Sequence, residues 1–173
     1  MSIHTEAIVL KRKRLPSKDI LVTLFTNEEG KVVAMAKGAK KITSTRSPRI
    51  QTGNLIKVML DTHSDWRYIQ GAELISGFSR IKESTSRIAY LYTVFYILDK
   101  LLPEMQKEID IYRATRVFLI RLAREEVISE AYVAEYIGNL MSHLGFSKPE
   151  GSYKEVIASV ETTIGEKIPV DIL

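Results

Sequence analysis

Cysteine is absent from all 173 residues, which excludes disulfides and thiolate-bound zinc and accords with a reducing compartment. No apolar run reaches the eighteen or so residues of a membrane span, so none is expected. The first residues place Glu6 ahead of the apolar run and lack the charged-then-apolar layout of a secretion signal, so a cytoplasmic protein is the expectation. Tryptophan occurs once, at Trp66, and no glycine-rich phosphate loop or nucleophile–base spacing is present, so no active site is expected. Acidic residues are missing from one stretch in particular. Between Lys31 and Leu60 there are none, while Lys31, Lys37, Lys40, Lys41, Arg46, Arg49 and Lys57 are all basic.

Seven like charges in a short stretch repel one another, a density tolerated mainly where an anion compensates it. Gly38 to Gly53 reads as a loop, because Thr43, Ser44, Thr45, Ser47 and Pro48 disfavour a helix and supply hydroxyls for phosphate oxygens. It is either a solvated surface loop or a contact to a nucleic-acid backbone, and the second reading is favoured. The net charge of +4 hides an asymmetry. Residues 1–80 hold 14 Lys+Arg against 7 Asp+Glu, a net of +7; residues 81–173 hold 11 against 14, a net of −3. A polyanion suits the first half and not the second.

The spacing predicts five strands in that first half. Ile3 to Arg12 carries Ile3, Thr5, Ala7 and Val9 on one face, and Ile20 to Thr26 turns at Asn27–Gly30 into Lys31 to Lys37. Asn54 to Asp61 and Arg67 to Leu74 complete the set. Five short antiparallel strands suit a small barrel, of SH3-like or OB type. Lys11, Arg12, Lys13 and Arg14 form a second basic cluster, read as a charge-protected edge or a phosphate contact. Trp66 either stacks on a base or plugs the barrel's end. Asp61, His63 and Asp65 would share a side in extended chain, as a metal-dependent nuclease needs, but the segment reads as a polar turn between strands.

The second half reads as helices. One is expected from a cap at Ser79 or Ser84 to about Leu102, stopped by Pro103, apolar nearly all round and therefore central. Another, from about Glu108 to Glu125, gathers Arg113, Arg116, Arg121 and Arg124 on one arc, with Val117 and Ile120 among them and Ile111, Phe118, Leu119 and Leu122 opposite. That arc is a solvated basic face or a dock for an acidic, apolar peptide tail. Ser129 and Ser152 cap two more helices, closed by Gly145 and Gly165, and His143 serves the end of the first.

The chain resembles the bacterial RecO family of recombination mediators and DNA repair proteins. The resemblance lies in Glu6–Leu10, Asp19–Thr26, Gly30-Lys31 with Ala36-Lys37-Gly38-Ala39-Lys40-Lys41, and Gln51-Thr52-Gly53. It continues in Ala72–Ile75, Phe78, Arg80-Ile81, Leu101–Glu104, Leu144-Gly145-Phe146 and Ile164–Ile168. It implies an α+β protein: an N-terminal five-stranded OB-type β-barrel, expected over residues 1–78, and an all-α helical domain over 79–173. It further implies a non-enzymatic role, binding single- and double-stranded DNA, annealing complementary strands, and loading RecA with RecR and single-strand-binding protein. Many relatives carry a four-cysteine zinc motif after the position of Leu144-Gly145-Phe146; here Ser147-Lys148-Pro149-Glu150 follows, and no metal or other cofactor is expected. The phosphate contacts expected are Lys37, Lys40, Lys41, Arg46 and Arg49, with Lys31, Lys11, Arg12, Lys13 and Arg14 in support. Arg113, Arg116, Arg121 and Arg124 are candidates for the acidic tail of single-strand-binding protein. An RNA-binding OB protein and a non-catalytic adaptor are the rival readings.

Overall fold

The computed structural model describes residues 1–38 and 46–169. Five strands, β1 (Ser2–Arg14), β2 (Ile20–Thr26), β3 (Gly30–Ala36), β4 (Leu55–Asp61) and β5 (Arg67–Ser76), close a barrel in the order β1-β2-β3-β5-β4. β1 closes it because its thirteen residues serve two partners. Its first half pairs with β4, from Ser2↔Asp61 to Ile8↔Leu55, and its second with β2, from Ala7↔Thr26 to Arg14↔Ile20. The expected alternation holds at Ala7 and Val9, which join Ile20, Val22, Leu24, Val32, Ala34, Ile56, Val58 and Leu60 in the barrel core. This is an OB-type barrel followed by helices.

Two features depart from expectation. The stretch read as helix-free contains a one-turn helix, α1 (Arg46–Arg49), closed by Ile50 N–H donating to the Arg46 carbonyl at 3.1 Å. Pro48 is tolerated there because the first turn of a helix has no intrahelical use for its N–H. Directly after α1, Ile50 is fully buried within the barrel core, whereas Trp66 is 55% exposed. Ile50, and not the tryptophan, fills the barrel.

The chain forms two compact units, Met1–Gly77 with Pro103–Tyr112, and Phe78–Leu102 with Arg113–Leu173. In the first, residues 103–112 are held against the strands. Met105 N–H donates to the Lys31 carbonyl at 2.9 Å, Lys107 Nζ lies 2.9 Å from Glu28, and Tyr112 Oη donates to Glu6 at 2.8 Å. The Tyr112 ring meets Phe25 edge-on at 5.3 Å.

The second unit is helical: α2 (Ser79–Lys82), α3 (Thr85–Leu101), most of α4 (Ile109–Arg124), α5 (Glu130–His143) and α6 (Tyr153–Ile164). Of the two caps expected for the long helix, Ser84 is the one used, accepting from Arg87 N–H at the start of α3, while Ser79 opens the separate one-turn α2. Ser129 caps α5, and Ser152 with Glu155 forms a reciprocal capping box on α6, which ends at Gly165 with φ +85°. Phe118 stacks on Tyr136 at 4.3 Å, and the Tyr136 hydroxyl meets Thr115 Oγ1 at 2.7 Å in the buried interior. Arg87 binds the carbonyls of Leu122, Glu125 and Glu126. Among the described residues no helix is long and apolar enough to cross a membrane.

Candidate nucleic-acid interface

A β-bulge decides which way the first basic cluster faces. Val9 pairs with Leu24, but Lys11 pairs with Thr23, so Leu10 is an extra residue and the strand changes phase. Paired residues of an antiparallel ladder share a face. Lys11 and Lys13 therefore lie with Thr23 and Leu21 on the outer face, while Arg12 and Arg14 follow the inward phase of Val22 and Ile20 at the barrel's end. Lys11, Lys13 and Arg14 are exposed, and Arg12 is half-buried. Burial first, and then the neighbouring Arg14, lower the pKa of the Arg12 guanidinium.

The arginines of this end hold main-chain carbonyls. Arg12 Nη1 donates to Ser47 at 3.1 Å, Arg46 donates to Ile69 at 2.9 Å and to Lys37 at 2.7 Å, and Arg49 Nη1 donates to Ala72 at 2.9 Å. Together they tie the α1 turn to β5 and to the end of β3. A guanidinium carries five donors, so these bonds do not exclude an anion on the remainder. Asp19 completes the clamp by accepting from Gly38 N–H at 2.8 Å, which ties the β1–β2 turn to the end of β3.

The outer face beside these cations is apolar. Read across the sheet, Lys13 is in register with Leu21, Leu21 with Met35, Met35 with Tyr68, and Tyr68 with Asp61. Leu21, Met35 and Tyr68 are each only half-buried. Exposed Lys37, just past β3, sets its Nζ 4.4 Å from the centroid of the Tyr68 ring. A half-exposed apolar ribbon with Lys13 at one edge, Asp61 at the other and Lys37 over Tyr68 offers stacking surface for bases and charge for phosphates on the face where OB folds take oligonucleotides.

Of the expected contacts, Lys11, Lys13, Arg14 and Lys37 are brought to this end of the barrel as exposed cations, and Arg12, Arg46 and Arg49 stand there as clamps. Lys40 and Lys41 lie outside the described residues. Lys31 is 7% exposed, so it presents less surface to a phosphate than the other cations do. Lys57, part of the acid-free stretch in sequence, is in register with Glu6 on one side and Glu73 on the other, so its charge is balanced across the sheet. Asp61 Oδ1 accepts from His63 N–H at 3.0 Å and contacts its ring at 2.5 Å, with the Met1 amine on the same ring. Among the described residues no group of three or more His, Asp or Glu is placed to hold a metal ion. On α4, Arg113, Arg116, Arg121 and Arg124 are all exposed, and Val117 is 54% exposed among them. Arg121 is engaged, with Nε 2.8 Å from Glu125 and its guanidinium 4.2 Å from the Tyr132 ring centroid.

The sequence reading missed Leu21, Met35 and Tyr68. A signal was available, since Ile20, Val22 and Leu24 already fill the inward phase of β2 and leave Leu21 an apolar residue on the solvent phase.

Residues 1–78 match the family model described as recombination protein O, N terminal. The chain belongs to the RecO family. It is 28% identical to the DNA repair protein RecO of Caldanaerobacter subterraneus subsp. tengcongensis over 83% of this chain and 58% of the relative. With the Geobacter metallireducens protein of that name the identity is 30% over 72% of this chain and 51% of the relative. With that of Chlorobium phaeobacteroides it is 26% over 84% and 57%. This RecO-family chain thus spans somewhat over half the length of the curated relatives it matches.

Proposed function

We propose that the chain works in DNA repair and recombination as a strand-binding and strand-annealing protein with no bond chemistry of its own. The observation that carries this reading is the register that sets half-exposed Leu21, Met35 and Tyr68 in a row beside Lys13, with Lys37 over the Tyr68 ring. Lysines on two bound strands release counterions and lower the repulsion between them, and bases held at an open surface stay free to find complements. The name shared by its relatives supports DNA over RNA as the polymer. In this reading the barrel unit takes the strands, at the bacterial nucleoid, and the protein acts with RecR and single-strand-binding protein to load RecA. The exposed arginines of α4, Arg113, Arg116, Arg121 and Arg124, with Val117 between them, suit the acidic tail of single-strand-binding protein.

The test is annealing of two complementary labelled oligonucleotides across a salt series. Acceleration that fades as salt rises, with both strands intact, is the expected outcome. A folded protein that fails to accelerate annealing at any salt, or that anneals RNA and not DNA, refutes the reading.

A further inference from the structure

Tyr68 and Lys37 form a pair that the phosphate-binding role leaves unexplained. The peptide that follows Lys37 is held at both of its polar groups, the carbonyl by Arg46 at 2.7 Å and the Gly38 N–H by Asp19 at 2.8 Å. The side chain rests with its ammonium over the Tyr68 ring at 4.4 Å. That face of the ring points out of the sheet, in register with Met35 and away from the core phase marked by Ile69. An ammonium over a half-exposed ring is a weak contact. A phosphate, carrying a full charge, outcompetes it.

We propose that Tyr68 is a base-stacking platform that Lys37 covers until a single strand arrives. The proposal rests on the nucleic-acid reading above and adds strand selection to it. When a strand docks, its phosphate draws the ammonium off the ring and a base of the same strand takes the vacated face. A duplex supplies the phosphate but keeps its bases stacked inside, so the ring stays empty. Lys37 then serves both polymers, whereas Tyr68 serves single strands alone. Trp66, the single tryptophan, is exposed two residues before Tyr68 and reports on events at this site.

The experiment titrates the full chain with an oligothymidylate and with a hairpin duplex of equal length, following anisotropy and Trp66 fluorescence at one fixed salt. Tyr68→Leu is expected to weaken the single strand by about tenfold and to leave the duplex unchanged. Tyr68→Phe, which keeps the ring, is expected to bind both as the unsubstituted protein does. Lys37→Met should weaken both, the single strand less than the duplex, because the ring is then uncovered from the start. Equal losses on both polymers from Tyr68→Leu, or a Tyr68→Phe protein as weak as Tyr68→Leu, overturn the platform. If the unsubstituted chain binds both polymers and Tyr68→Leu alters neither, the nucleic-acid reading stands and the platform fails. If it binds neither polymer, both fall.

Discussion

A guanidinium presents five donors in a fixed plane, and Arg12, Arg46 and Arg49 use part of theirs on carbonyls of Ser47, Ile69, Lys37 and Ala72. Lysine cannot fork in this way, and the lysines of the same end, Lys11, Lys13 and Lys37, stay exposed. The division of labour follows from side-chain geometry, since both residue types carry the same charge. A buried hydroxyl shows the complementary case. Burial raises the pKa of Tyr136 well above its usual value, partly offset by the hydrogen bond to Thr115. The folded chain therefore holds this proton more tightly than the unfolded chain does. Stability is full below about pH 10 and falls as pH rises beyond it. Tyr136→Phe is expected to lose about 1 kcal/mol at neutral pH and to show a smaller drop in melting temperature between about pH 9 and about pH 11. An unchanged alkaline drop would assign that loss to other groups.

At the scale of elements, local signals were strong where local chemistry decides. β2 runs over the expected Ile20–Thr26, and Ser129, Ser152 and Gly165 stand at the helix ends where capping chemistry put them. What the sequence did not reveal was an element's use by a distant one. Residues 103–107 read as a linker and 108–112 as the start of the next helix, yet both pack on the strands of the first unit, and Gly30 makes room for them. Its φ of +73° suits glycine, and a Cβ built there would stand 1.8 Å from the Gln106 carbonyl oxygen. Gly30→Ala is expected to cost about 1–3 kcal/mol, read as a lower urea midpoint. Gly71→Ala serves as the control, since its Cβ would meet only Met59 Cε at 3.8 Å. Equal midpoints for the two variants would show that residues 103–112 do not depend on Gly30. The α1 turn was misread for a related reason: Ser, Thr and Pro disfavour a long helix, but one turn needs little propensity when Ile50 is buried behind it.

For the molecule as a whole, charge is unevenly spent. The excess of the first eighty residues is partly absorbed by carbonyl clamps at Arg12, Arg46 and Arg49 and by carboxylates flanking Lys57. Among the described residues of the basic end, the exposed cations are Lys11, Lys13, Arg14, Lys18, Lys37 and Arg49. With roughly 0.7 counterions released per neutralised phosphate of a single strand, log K against log salt should slope between about −2 and −4. A slope near zero would remove the barrel's cations from the interface, and a much steeper one would call for cations beyond these.

By itself the sequence determined the spans of the five strands and of the four longer helices to within a few residues, most of the caps, the inward phase of β1, the basic first half and the kinship with RecO. Each of these rests on interactions within a few residues of chain, or on composition. Only the tertiary structure decided which cations face outward. That depended on a one-residue bulge at Leu10, on acceptor carbonyls more than twenty residues away from Arg46 and Arg49, and on residues 103–112 taking up the carbonyl of Lys31. It likewise set Tyr68 beside Met35 and under Lys37, because β3 and β5 pair in parallel only once the barrel has closed.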